Sequence, residues 1–71
     1  MKKENIEKAK IVRLKLHSGD RIEDDELEKA IKVYEIVCEF LMSDPHLHLA
    51  WKELNFDLMD LKSFQFSRKH H

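Results

Sequence analysis

Five histidines, fourteen carboxylates and one cysteine are the side chains that could do chemistry in this chain. Their spacing suits almost none of it. A metal site on a helix needs ligands three or four residues apart, where they share a face. His46 and His48 are two apart and point to different sides of a helix. His17 precedes a Ser-Gly turn, where a cation suits the negative end of a helix dipole, and His70 and His71 lie in the tail. The acidic run from Asp20 to Asp25 resembles a calcium loop only in charge. An EF-hand needs glycine at its sixth position, and with Asp20 first that position holds Asp25. No metal and no cofactor is expected.

Acid–base and nucleophilic catalysis fare no better. Glu53, Asp57 and Asp60 make an acidic ridge at i, i+4, i+7, and Glu28, Lys32, Glu35 and Glu39 make a mixed one. General acid–base work needs carboxylates in a cleft with shifted pKa values, whereas both ridges fall on the polar sides of their helices, so they read as solvated faces. The chain has no Glu-x-x-His pattern, no glycine-rich phosphate loop and no nucleophile signature. It is not expected to be an enzyme.

Cys38 stands alone, so no internal disulfide can form. On an apolar helical face it reads as a small buried hydrophobe in a reducing compartment. No run of some 18 apolar residues offers a membrane span, and Met1-Lys2-Lys3-Glu4 is not followed by the apolar stretch of a signal peptide. A cytoplasmic protein that does not enter the membrane is the expectation.

Charge is near balance overall but unevenly spread. In residues 1–17, Lys2, Lys3, Lys8, Lys10, Arg13 and Lys15 against Glu4 and Glu7 leave +4. Residues 18–44 stand at −6, and the remainder at +1. Lys8, Lys10, Arg13 and Lys15 are therefore the candidates for touching nucleic acid. They are spread around their helix, however, and the next helix opens with Glu23-Asp24-Asp25-Glu26. A recognition helix presents its first residues to the groove, and four carboxylates there would repel phosphates. A small nucleic-acid-associated regulator is the alternative reading, and complementary packing between helices or subunits the first.

Two breaks divide the chain into three segments. Ser18-Gly19-Asp20 is a turn in which Gly19 can supply a left-handed cap. Ile22 and Leu27 then bracket Glu23 as a hydrophobic staple, with carboxylates in the first helical turn. At Ser43-Asp44-Pro45, Asp44 can cap and Pro45 can open the last helix. The expectation is an all-α fold in a single domain, residues 1–71, with helices over about 3–17, 23–42 and 45–62 and a frayed tail over 67–71. Helices 2 and 3 should form a long antiparallel hairpin with helix 1 packed across it, a small three-helix bundle. Val12, Leu14 and Leu16 alternate with Arg13 and Lys15 as a strand would, so a hairpin over residues 10–22 competes with helix 1. Nothing else could extend such a sheet, which favours the helix.

The apolar pattern then exceeds what one small core can use. At roughly 100° per residue, Leu27, Ala30, Ile31, Tyr34, Val37, Cys38 and Leu41 share one side of helix 2. Leu47, Ala50, Trp51, Leu54, Leu58 and Leu61 share one side of helix 3. Of these, Leu27, Ile31, Tyr34, Val37, Cys38, Leu41, Leu47, Trp51, Leu54, Leu58 and Leu61 are the expected core, with Trp51 as its anchor. Val33, Ile36 and Phe40 form a second ridge on helix 2, and Leu49, Phe56 and Met59 lie nearly opposite the core stripe of helix 3. These six are the expected interface.

Chains below about 70–80 residues rarely draw more than ~3–5 kcal/mol from a single core, and association is a common supplement. The function expected is a non-enzymatic protein–protein interaction or regulatory module. It would self-associate, as a dimer in the simplest case, and bind another protein. This build is common among small accessory proteins of bacteria, phages and mobile elements.

Overall fold

The computed structural model describes residues 3–69. Three helices account for most of them: α1 over Lys3–Ser18, α2 over Asp24–Met42 and α3 over His48–Lys69, with a 3-10 turn at Pro45–Leu47 leading into α3. No strand occurs among the described residues, so the hairpin alternative for residues 10–22 is excluded.

The first break works as its residues dictate. Gly19 adopts φ +79°, the left-handed geometry that closes helices. Asp20 N–H then donates to the Lys15 carbonyl at 3.0 Å, the outer bond of a Schellman motif, and Ser18 Oγ donates to the Leu14 carbonyl at 3.0 Å. Glu23 is the N-cap of α2, and its backbone N–H donates to Glu26 Oε2 at 3.0 Å. That bond lowers the Glu26 carboxyl below its ordinary pKa, helped by the Lys15 ammonium at 3.1 Å. Ile22 and Leu27, the two sides of the staple, are both buried.

The second break is equally local. Asp44 Oδ1 accepts from His46 N–H at 2.9 Å, and Leu47 N–H donates to the Asp44 carbonyl at 3.0 Å. Pro45 opens the turn as expected, but the first three residues wind as 3-10 before the α-helix begins.

α2 is the central element. Both α1 and α3 pack along it, while α1 and α3 meet only lightly. The chain is the expected small all-α three-helix bundle, with α2 and α3 paired and α1 packed mainly on α2. The core joins Ala9 and Val12 of α1, Ile22 of the loop, Leu27, Ala30, Ile31, Tyr34 and Cys38 of α2, and Leu58 and Leu61 of α3. Leu27 and Leu61, 1% and 0% exposed, mark its centre.

This centre lies nearer the Gly19 end than the stripes imply. Val37, Leu41, Leu47, Trp51 and Leu54, all expected as core, are half-buried. Trp51 packs on the edge of the core and stacks on His48, with ring centroids 5.5 Å apart, and Ala50 is exposed. The reason lies in α1, whose packing against α2 adds Ala9, Val12 and Ile22 to the buried set around the first break. The other correction is at the end of α3. It continues past residue 62 through Lys69, with Phe64 packed against the core. Arg68 bridges to Asp24 at 3.3 Å and lies over the Phe64 ring. Residues 67–69 are therefore helical instead of frayed, and residues 70 and 71 lie outside the described residues.

Candidate interaction surface

Two carboxylates of the acidic ridge on α3, Asp57 and Asp60, are engaged in holding helices together. Arg13 spans from α1 to α3: its Nε donates to Asp57 Oδ1 at 3.1 Å and its Nη2 to Asp60 Oδ2 at 2.8 Å. Asp57 and Asp60 sit three residues apart on α3, so one guanidinium fork can reach both. The acidic ridge expected to be solvated is thus partly an anchor for α1. Sequence reasoning missed it because the partners lie 44 and 47 residues away along the chain.

The same accounting bears on the basic candidates. Lys15 pairs with Glu26 at 3.1 Å and Lys8 with Glu4 at 3.2 Å, while Lys10 is exposed. Arg13 and Lys15 are thus partly buried in bridges between elements, while Lys8 and Lys10 stay exposed on α1. Among the described residues no group of three or more His, Cys, Asp or Glu side chains could hold a metal ion. The Cys38 thiol is buried, and burial pushes its pKa up, so it stays protonated and weakly nucleophilic. Tyr34 is raised in the same way, again mainly by burial.

What the fold leaves uncovered is apolar. On α2, Val33 is half-buried and packs against the core, unlike the other two residues of the expected second ridge. Ile36 and Phe40 remain, 54% and 71% exposed. Neither α1 nor the end of α3 folds over them. Ile11 and Leu14 of α1 and Met42 at the end of α2 are exposed as well.

The outer face of α3 is the more ordered of the two. Leu49, Phe56, Met59 and Phe66 are 56–76% exposed. With Lys52 and Ser63 they occupy positions 49, 52, 56, 59, 63 and 66, alternating steps of three and four. That is the a/d spacing of a helix-packing seam. The inner residues Leu47, Trp51, Leu54, Leu58 and Leu61 follow the same alternation on the opposite side. α3 therefore carries two apolar alternations, an inner one packed into the bundle and an outer one whose Leu49, Phe56 and Met59 are exposed.

No known protein family, curated protein or solved structure matches the chain. The surface itself must carry the functional reading.

Two concave features complete it. A shallow groove between α1 and α2 is lined by Ala9, Val12, Ala30 and Val33, with Lys8, Lys29 and Lys32 beside Asp25 and Glu26. A smaller dimple at the second break is lined by Leu41, Met42, Pro45, His48 and Trp51. Both are open to solvent. Among the described residues no helix is long and apolar enough to cross a membrane.

Proposed function

We propose that this chain is a non-enzymatic interaction module. It associates with copies of itself through the outer faces of α2 and α3, and in that form presents a surface to another protein. The observation that carries this reading is the exposure of Ile36, Phe40, Leu49, Phe56 and Met59 on well-formed helices. Fully burying such a side chain is worth about 1.5–3 kcal/mol, so several of them together are a strong drive to pair. The pairing of Arg13 and Lys15 with carboxylates supports protein over nucleic acid as the partner, because phosphates would have to compete with those bridges. The single buried thiol suits a cytoplasmic setting.

The test is mass in solution. The wild-type chain should sediment well above the 8.6 kDa of one copy. Phe40→Glu should reduce the assembled fraction while leaving helicity unchanged, since the side chain contributes little to the internal core. A wild-type chain that stays monomeric at ~100 μM and above, a range in which even weak specific dimers form, would end the self-association reading. A mobility shift with nonspecific DNA that fades with added salt would point to the nucleic-acid alternative.

A further inference from the structure

Two features of α2 meet on one face. The groove against α1 is floored by Ala9, Val12, Ala30 and Val33, and the exposed Ile36 and Phe40 carry its apolar stripe further along α2. Lys29, Val33, Ile36 and Phe40 stand four, three and four residues apart, the a/d alternation of a helix-packing seam. Those steps read the same from either end, so a reversed copy of α2 falls into register with it. The second feature is the charge beside the seam. Lys29, Lys32 and Glu39 are exposed, and Lys32 meets Glu28 only at 3.9 Å. Lys29 and Glu39 make no ion pair among the described residues.

We propose that two copies of this chain pack α2 against α2, antiparallel, about a two-fold axis between Val33 and Ile36, with Lys29 and Lys32 of each copy paired to Glu39 of the other; this rests on the reading of the chain as a self-associating module. Such a contact is isologous, so every pairing occurs twice. Val33 faces Ile36 of the second copy. Lys29 faces its Phe40, with the lysine stem lying along the ring. Lys32 and Glu39 immediately precede Val33 and Phe40, so both flank the seam on the same side. Reversal brings Lys32 of one copy beside Glu39 of the other, and that glutamate also comes level with Lys29. Two lysines that repel each other within a copy thus share one carboxylate supplied by its partner.

The opposite flank is apolar. There Ala30 falls beside Val37 of the second copy, next to the groove, and its small side chain lets the helices approach closely. The nearest like charges, Asp25 and Asp44 of the second copy, fall past the last layer, where the second copy's α2 has already ended at Met42. Parallel packing would set Lys29 against Lys29 and leave Lys32 opposite Val37. The apolar layers supply the affinity, and the charges select the antiparallel register.

Charge reversal tests that register. Lys32→Glu and Glu39→Lys each set like charges together twice in the homodimer, so each alone should dimerise about tenfold more weakly. The double variant Lys32→Glu/Glu39→Lys restores opposite signs across the seam and should recover most of the loss. Sedimentation equilibrium over a dilution series reads the three constants against wild type. Circular dichroism should show unchanged helicity in all of them, because both positions are exposed; a loss would overturn the placement of these charges between copies. Single variants as tight as wild type would overturn the α2 pairing while leaving self-association through α3 standing. Weakened single variants with no recovery in the double would overturn the antiparallel register, since only that register sets residue 32 beside residue 39. A wild-type chain that stays monomeric would end both this pairing and the reading on which it rests.

Discussion

At the scale of single residues, Arg13 connects most of the molecule's polar design. Its side chain is 20% exposed, and it reaches two carboxylates of α3 that would otherwise repel each other. A partly buried, charge-assisted pair of this kind is worth more than an exposed surface bridge. Arg13→Gln should cost about 1–2 kcal/mol in urea unfolding. The same substitution in an Asp57→Asn/Asp60→Asn background should cost much less, because no carboxylate is left for Arg13 to hold. Equal losses in both backgrounds would show that Arg13 stabilises through its aliphatic stem alone. The residue scale was also the least legible in sequence. Arg13 is one of six basic residues in the first segment, and nothing local marks it as the one that reaches α3. Trp51 misled for the opposite reason: its stripe position implied a central anchor, but the burial centre depends on how α1 packs.

At the scale of elements, legibility was high wherever the signal was local. Gly19, Glu23 with Glu26, and Asp44 with Pro45 mark the helix boundaries because each boundary is settled by bonds among neighbouring residues. Helix 1 was ambiguous between 3.6-residue and two-residue periodicity, and the helix prevails, with no strand among the described residues to support a hairpin. The end of α3 was illegible because no glycine or proline follows residue 62. The helix continues under tertiary control, with Phe64 on the core and Arg68 bridged to Asp24. Gly19 offers the sharpest test of a boundary. Nothing lies within 4 Å of a Cβ built there, so space is not the obstacle, but φ of +79° is unfavourable for any side chain. Gly19→Ala should therefore destabilise by about 1 kcal/mol, lowering the melting temperature by roughly 4–8 °C for a domain of this size. A neutral or stabilising effect would mean that the Schellman closure contributes nothing.

At the scale of the whole molecule, the three helices enclose a core and still leave Ile36, Phe40, Leu49, Phe56 and Met59 exposed. The surplus was legible in sequence, because a second ridge on an amphipathic helix shows directly in the spacing. Which ridge stays outside was not. Val33 packs against the core while Ile36 and Phe40 stay exposed, a division that depends on how the three helices pack. If the remaining faces pair in solution, folding and association are linked, and stability must depend on concentration. Each tenfold increase in chain concentration then adds about 1.4 kcal/mol per dimer. Spread over the unfolding entropy of two chains, that raises the melting temperature by about 3–6 °C per tenfold step. The measurement is a series of thermal melts over a hundredfold concentration range, repeated at high salt. An interface of Ile36, Phe40, Leu49, Phe56 and Met59 should keep its slope as salt rises, because apolar burial is not screened. A slope that vanishes with salt would reassign the assembly to charge pairing. Melts that superimpose at every concentration would show that the exposed seams leave the chain alone.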